Sequence, residues 1–549
     1  MRGNQNLVFA FANSRGFWQI KAPMKKLMAI LVLVAVAVGG RAALPQPDLI
    51  AQIHFAGAQK ISAGKFFSAF TNEFSSAEAH ALAGQTLDKL SHVPGAWFKT
   101  KIPADAGDGA ALLRPLFDDL PASEWFFEAR DTTNGSPEFA LAIRLSDVHA
   151  QLWENNLQQL LEAWTKIPAK KIPGGWELKK HEPPNLIRVT GNGGWLVAGC
   201  GQNELPLSKN MPGEITSKQS KNVWSWLSLD VNWPRLAQWF PRLKEFGLPE
   251  TQFTVTAADA NLHINGKFFF PENLSPALEA WRVPTNTLHQ PFISFTAVRG
   301  FASWLKQRLW AQPYEISPAP DQLFVWALPN IPFQTFAAIP VPNAAEALNQ
   351  AYARLLPVFN AGNAEFLTPF TLELTNNEIG FHGVPFVSPY LQAKQEPAGQ
   401  FLIAGAFPNS PRSKPLPPEL FQRLATTNLV FYHWEITAER LPQVLNLSQL
   451  GLMLTSHKQL EENSAALKWV QKIGPALGNT TTEITQSGPA EMTFTRKAPG
   501  GLTAVELFAL ANWLEAANFP GCNLKLPPRS AKFKRPHPQP PGVMPAPAH

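Results

Sequence analysis

Residues 125–164 read WFFEARDTTNGSPEFALAIRLSDVHAQLWENNLQQLLEAW, and this stretch decides the fold class. Trp125–Asp131 and Phe139–Leu145 alternate apolar and polar residues on either side of Asn134-Gly135. Alternation with a period of two gives a strand one apolar face. Asn-Gly supplies the positive φ of a tight hairpin turn. The period then changes. Trp153, Leu157, Leu160, Leu161 and Trp164 fall on one face of a helix, and Ser146 stands where an N-cap belongs. A hairpin running into an amphipathic helix predicts an antiparallel sheet carrying helices rather than a doubly wound parallel sheet.

The same signature recurs outward from this stretch. Hairpins are predicted from Leu186–Thr190 with Trp195–Cys200, Phe253–Ala257 with Asn261–Phe269, Phe370–Thr375 with Ile379–Val384, and Thr482–Thr485 with Met492–Arg496. Helical periodicity marks Ala79–Leu90, Ala344–Leu356, Leu460–Ile473 and Thr503–Leu514. Pro241 and Pro442 each remove a backbone donor, so the helices around them are expected to be brief or kinked. Asp230–Phe240 aligns without gaps to Glu435–Leu445, sharing an Arg-Leu pair (Arg235-Leu236, Arg440-Leu441) and a glutamine (Gln238, Gln443). That spacing is too long for a solenoid of 20–50-residue units and fits duplicated domains.

The expected fold is therefore α+β: duplicated domains of antiparallel β-hairpin sheet with helices packed on one face, after an N-terminal signal peptide. The opening order is strand Ile50–Phe55, helices, hairpin, helix, strand Trp176–His181, which matches a split βαβ sandwich. The expected divisions are a leader over 1–42, domains over 43–215 and 222–410, a third domain or second half over 419–524, and a tail over 525–549. Gly201–Asn222, Ala311–Pro320 and Pro408–Pro418 read as linkers, being polar or proline-rich and without periodicity.

The leader sets the expected compartment. Met24-Lys25-Lys26 precedes the apolar run Leu27–Val38, and Gly40-Arg41-Ala42 offers small residues to a signal peptidase. The run is shorter than the roughly 20 apolar residues of a membrane span, so no stable transmembrane span is expected after processing. The expected location is periplasmic or extracellular. Residues 1–23 carry Arg2, Arg15 and Lys21 and no acid; they extend the positive region, or Met24 is the true start. An organelle transit sequence is also basic and acid-poor, but the compact apolar run argues against one.

Charge is distributed unevenly. The whole chain has 47 basic and 41 acidic residues. Six of the basic residues lie in 1–42 and five in Lys525–His549, neither of which contains an acid, so the body is acidic by five. A body that neutralised nucleic-acid phosphates would need a basic face, and this class is set aside. Eight prolines between Pro527 and Pro547 keep the tail from packing a core. Its basic cluster either touches an acidic cell-envelope surface or is simply solvated. Cys200 and Cys522 are the only cysteines. Export permits a disulfide between them, and two separate buried thiols are the alternative.

Reaction motifs are scarce. No G-x-S-x-G, H-E-x-x-H, G-x-x-x-x-G-K-[ST] or G-x-G-x-x-G occurs, and no two histidines stand three or four apart. No cofactor and no metal are expected. Asp105-Ala106-Gly107-Asp108-Gly109 resembles the start of a calcium loop but lacks the downstream Glu, and reads as a turn. His433 and Glu435 share one face of a strand, and a His beside a carboxylate can transfer protons; the same pair also suits the wetter face of a half-buried strand. Trp224, Trp226, Trp233 and Trp239 form the densest tryptophan group, offering sugar stacking or ordinary core burial. The expected role is non-enzymatic binding or an envelope component. A hydrolase of envelope or extracellular polymers using His433 and Glu435 is one alternative. A carrier of a lipid or other apolar ligand is another, in a cavity lined by Phe and Trp.

The leader yields a direct test. N-terminal sequencing of the exported product is expected to start at Ala43 or Leu44; a product that keeps Met1 or Met24 would remove the export reading.

Overall fold

In a computed structural model of the protein, the described residues are 48–521, less 65–66, 71–74, 101, 133–136, 182–184, 203, 220–224, 274–277, 303–317, 330–333, 364–370, 384–386, 408–415 and 457–462. The leader, most of the two later linkers, the proline-rich tail, Trp224 and Cys522 lie outside them.

Among the described residues twenty strands form one sheet. The first ten are β1 (Leu49–Phe55), β2 (Trp125–Arg130), β3 (Glu138–Arg144), β4 (Lys170–Ile172), β5 (Gly175–Lys179), β6 (Leu186–Asn192), β7 (Trp195–Gly201), β8 (Leu227–Val231), β9 (Glu250–Ala258) and β10 (Asn261–Phe269). The second ten are β11 (Ser294–Arg299), β12 (Gln322–Ala327), β13 (Thr335–Val341), β14 (Thr371–Leu374), β15 (Glu378–His382), β16 (Tyr390–Glu396), β17 (Gly399–Gly405), β18 (Leu429–Ile436), β19 (Asn479–Gly488) and β20 (Glu491–Ala498). The strands of all five predicted hairpins pair, while the Asn134-Gly135 turn, Phe370 and Val384 lie outside the described residues.

Every pairing is antiparallel. From one edge inward the first half runs β4-β5-β6-β7-β3-β2-β1-β8-β9-β10. The second half, from the other edge inward, runs β14-β15-β16-β17-β13-β12-β11-β18-β19-β20. Each strand of the first half thus has a counterpart ten numbers later in the same place. The inner strands β10 and β20 pair over Leu262–Phe269 and Glu491–Ala498, making one sheet of both halves. The split βαβ expectation is overturned: β1 runs antiparallel to both its neighbours, and four strands separate it from β5. Element order along a chain does not state which strands meet.

The seam between the halves is built around a missing side chain. Gly266 of β10 stands opposite Phe253 of β9 and Phe494 of β20. A Cβ at Gly266 would come within 2.0 Å of the Phe253 ring. The space is taken by Phe253, Phe268 and Phe494, which meet edge-to-face at 5.3, 5.2 and 6.2 Å. A glycine in a strand is weakening by itself, and here aromatic cover from both neighbours compensates for it.

The helices are α1 (Ala58–Ser62), α2 (Ala77–Phe98), α3 (Ala110–Ala122), α4 (Asp147–Thr165), α5 (Pro206–Gln219), α6 (Trp233–Trp239), α7 (Ala344–Asn363), α8 (Pro418–Leu424), α9 (Thr437–Ser456), α10 (Ala465–Ile473) and α11 (Ala504–Glu515). They cover both faces, correcting the expectation of one. Leu113, Leu116, Trp153 and Leu160 of α3 and α4 pack on the face of Ile53 and Phe127. Leu207, Met211 and Ile215 of α5 pack on the opposite face, against Ala140, Ala142 and Val197. In the second half α7 packs on Val341, Ile379 and Leu402, and α8 on Phe295, Phe324 and Trp326. The Gly201–Asn222 linker is likewise overturned. Those three apolar residues of α5, spaced by four, are a thin stripe in a polar stretch, and burial against the sheet is what stabilises the helix.

A third helical group joins the two halves. Leu82 of α2 packs with Leu441 and Val444 of α9, Val470 of α10 and Leu507 of α11. Glu515 accepts hydrogen bonds from Gln85 of α2 at 2.7 Å and from the Ser464 hydroxyl and Ala466 N–H, at the start of α10, at 3.0 and 2.9 Å. The brief helix before Pro241 is found: α6 stops at Trp239. Pro442, however, sits inside the 20-residue α9.

The seam generates a stability prediction. Gly266→Val overpacks the aromatic cluster and is expected to lower stability by about 1–3 kcal/mol, read as a lower urea midpoint. An unchanged midpoint would remove the steric account of this position.

Candidate functional site

His433 and Glu435 do come together on β18, with Nε2 and Oε2 3.4 Å apart. His433 Nδ1 lies 2.8 Å from the Thr296 hydroxyl. Glu435 is almost fully buried, and its Oε1 accepts the Thr437 hydroxyl at 2.9 Å and the Ala504 N–H at 2.7 Å. Thr437 and Thr480 hydroxyls meet at 2.8 Å. Glu435 therefore ties β18 to β19, to the start of α9 and to the first N–H of α11, where the positive end of the helix favours a carboxylate. Nothing in the local sequence announces Ala504, which is 69 residues away.

The repeat that pairs Asp230 with Glu435 needs a correction. The Asn232 N–H bonds Ile50 O at 2.9 Å, and the Ile436 N–H bonds Ile293 O at 2.8 Å. Asn232 and Ile436 hold the same ladder position, whereas the ungapped alignment sets Asn232 against Thr437. Asp230 continues sideways through Gln252, Lys267 and Thr493 to Thr485. Glu435 pairs with Thr480, five residues from Thr485 on the same strand. An odd separation means opposite faces, because a one-residue slip turns a strand's side chains over.

Asp230 belongs to a polar row. Gln52 Nε2 bonds Glu128 at 2.6 Å, Gln252 Nε2 bonds Asp230 at 2.9 Å, and Asn232 Nδ2 bonds Glu250 at 3.1 Å. Burial, and secondarily the neighbouring Glu250, lift the Asp230 carboxyl to about 7, against the pull of the Gln252 hydrogen bond. Burial also raises Glu250. A second cluster surrounds Glu124, which accepts His54 Nε2 and Lys60 Nζ, both at 3.1 Å. Burial works to raise Glu124, but His54 and Lys60 outweigh it and leave the carboxyl below its ordinary value. Sequence reasoning missed both clusters, since each is assembled across strands.

The remaining candidates have structural surroundings. Asp108 caps the Ala110 N–H at 3.1 Å and bonds His92 at 2.6 Å, and Asp105 bonds Lys166 at 2.9 Å. Trp226 is in the core, and the Trp233 indole bonds Thr251 at 3.1 Å. Cys200 lies on β7, where burial pushes its thiol up to about 12. Among the described residues no group of three or more His, Cys, Asp or Glu is placed to hold a metal ion, and no helix is long and apolar enough to cross a membrane.

The second half holds a cleft of about 690 Å³ between the segment 278–285, the turn Pro397-Ala398 and the C-terminal end of α8. Leu278, Trp281, Val283, Phe421 and Leu424 supply apolar wall, and Thr285, Thr426 and Thr427 are polar residues of its lining. Phe421 is 42 % exposed, unusual for a large apolar side chain. Arg299 also lines the cleft although only 3 % of it is exposed. A second recess of about 370 Å³, lined by Asn428, Gln486, Ser487 and Gly488, shares Leu278 and Thr427 with the first. The chain matches no known family, no curated protein and no solved structure, so the reading of this site rests on its own geometry.

Asp230 supplies a pH prediction. An unfolded Asp titrates near about 3.9. Between about pH 4 and the folded value of about 7, the folded chain keeps a proton that the unfolded chain has released, so stability falls as pH rises through that window and then levels off. Asp230→Asn, which keeps an acceptor for Gln252, removes this part of the slope. The variant is expected to match the wild type near about pH 4 and to exceed it by on the order of 1–4 kcal/mol near about pH 8. Urea unfolding at the two pH values checks it; an equal difference at both would sink the assignment.

Proposed function

We propose that the protein works by binding rather than by catalysis, as an exported envelope or extracellular protein that holds an apolar molecule in the cleft beside α8. The observation that carries this reading is the cleft itself. Its volume lies in the range of small-molecule sites, roughly 300–1,000 Å³, and its wall combines apolar side chains with a few polar groups. Trp281 and Phe421 are aromatic surfaces of the kind a carrier of apolar ligands uses. The half-exposed wall also has an energetic meaning. Apolar surface left in contact with water forgoes roughly 25 cal/mol per Å², and a bound apolar molecule recovers it.

Two further considerations support binding over hydrolysis. The carboxylate of the one His–Glu pair legible in the sequence is engaged by Thr437 and Ala504. The basic leader and the near-neutral charge of the remainder suit an exported chain. We also read the chain as two copies of one ten-strand unit, in which β1–β10 and β11–β20 descend from one ancestor. The recurrence of the pairing order in the two halves supports this. On that reading the cleft belongs to one copy, and the copies have diverged in function.

The test is a neutral fluorescent probe. N-phenylnaphthylamine is expected to bind with a saturable rise in fluorescence. Ala425→Trp, at an exposed position on the cleft wall, is expected to weaken it by about tenfold, or about 1.4 kcal/mol. No saturable binding by the wild type, or unchanged binding by the variant, would remove this site.

A further inference from the structure

The cleft contains a buried charge that no carboxylate among the described residues touches. Arg299, on β11, is 3 % exposed. Its guanidinium donates to Leu429 O at 2.8 Å, Glu279 O at 2.6 Å, Thr427 O at 2.7 Å and Thr426 O at 3.2 Å. These are all neutral backbone carbonyls. A guanidinium has five N–H bonds, so one on Nη1 remains. The Trp281 ring lies 4.6 Å from the guanidinium carbon. Among the described residues no carboxylate comes within ion-pair distance of Arg299. The Asp321 carboxylate, which accepts the Gly300 and Ala302 N–H groups at 3.1 and 2.9 Å, acts on Arg299 only from beyond ion-pair distance. Buried charges are ordinarily paired, because desolvation is recovered only by a close counter-charge. Carbonyl dipoles and one aromatic face engage four of the five N–H bonds and the guanidinium face, but bring no counter-charge into contact.

Resting on the binding reading above, we propose that the cleft takes an amphiphilic organic anion, a carboxylate with an apolar body. The carboxylate would meet the remaining Arg299 N–H and the hydroxyls of Thr285, Thr426 and Thr427, which line the same cleft. Trp281, Leu278 and Phe421 would cover the apolar body. Binding places a counter-charge in contact with the guanidinium, where Asp321 acts only from a distance, and a hydrogen bond between two charged groups in a low-dielectric wall is stronger than one between neutral groups. A cationic amphiphile would add like charge to the same wall.

Displacement of N-phenylnaphthylamine from the wild-type protein by three twelve-carbon amphiphiles tests this. Dodecanoate is expected to displace it at a concentration about tenfold lower than dodecanol. Dodecyltrimethylammonium is expected to be the weakest of the three. In Arg299→Gln, if it folds, the preference for acid over alcohol is expected to shrink to within about twofold while alcohol binding stays. If the variant does not fold, the wild-type ranking decides alone. Dodecanoate no better than dodecanol, with the probe bound, would overturn the anion assignment and leave the apolar site standing. A wild-type protein that binds no probe would overturn both.

Discussion

The pairing of β10 with β20 is the constraint on which the rest of the architecture depends. Each half is an antiparallel run of ten strands whose innermost strand would otherwise end in unpaired backbone groups. Eight residue pairs along Leu262–Phe269 and Glu491–Ala498 close that edge. Gly266 leaves room over β10 for the Phe253 ring of β9, which reaches across it to meet Phe494 of β20 edge-to-face. Phe253, Phe268 and Phe494 then fill the gap from three strands. The seam is thus a hydrogen-bond ladder with an aromatic patch, and it places the helices of both halves within reach of each other.

That reach is used. On one side of the fold, α2 from the first half packs into the cluster of α9, α10 and α11 from the second. Glu515 fastens the contact with hydrogen bonds to elements more than 400 residues apart in one case and about 50 in the others. Glu435 performs a similar service where α11 begins. Glu435, a candidate for proton transfer in the sequence, and the half-buried Glu515 are therefore brackets between elements. Arg299 is also a bracket, tying β11 to the carbonyls of Thr426, Thr427, Leu429 and Glu279, but it does so at the wall of a cleft and with no carboxylate in contact among the described residues. Its function is proposed from what surrounds it, namely neutral acceptors and apolar wall.

Much of the local structure was legible in advance. Asn134-Gly135 and the alternating residues about it marked β2 and β3, and Ser146 does cap α4, accepting from the His149 N–H. The periodic positions Trp153 and Leu160 are the buried ones of that helix. Failures occurred where the signal was weak or the decision was not local. The stripe Leu207, Met211 and Ile215 is too thin to announce a helix against its polar neighbours. The alignment of Asp230 with Glu435 matched residue types but missed the one-residue shift where strand passes into helix, and the shift reverses the face.

By itself the sequence determined an α+β chain of antiparallel hairpins and amphipathic helices, because alternation, helical period, caps and Asn-Gly turns act over a few residues. It also determined an acidic body between two basic ends. Only the tertiary structure decided that all strands enter one sheet, that helices lie on both of its faces, and that Arg299 meets Trp281 and the end of α8 at a cleft. Those outcomes depend on which strands pair and on what fills the space between them. Pairing partners here stand up to about 240 residues apart, as β10 and β20 do. No pattern within a short window contains that information.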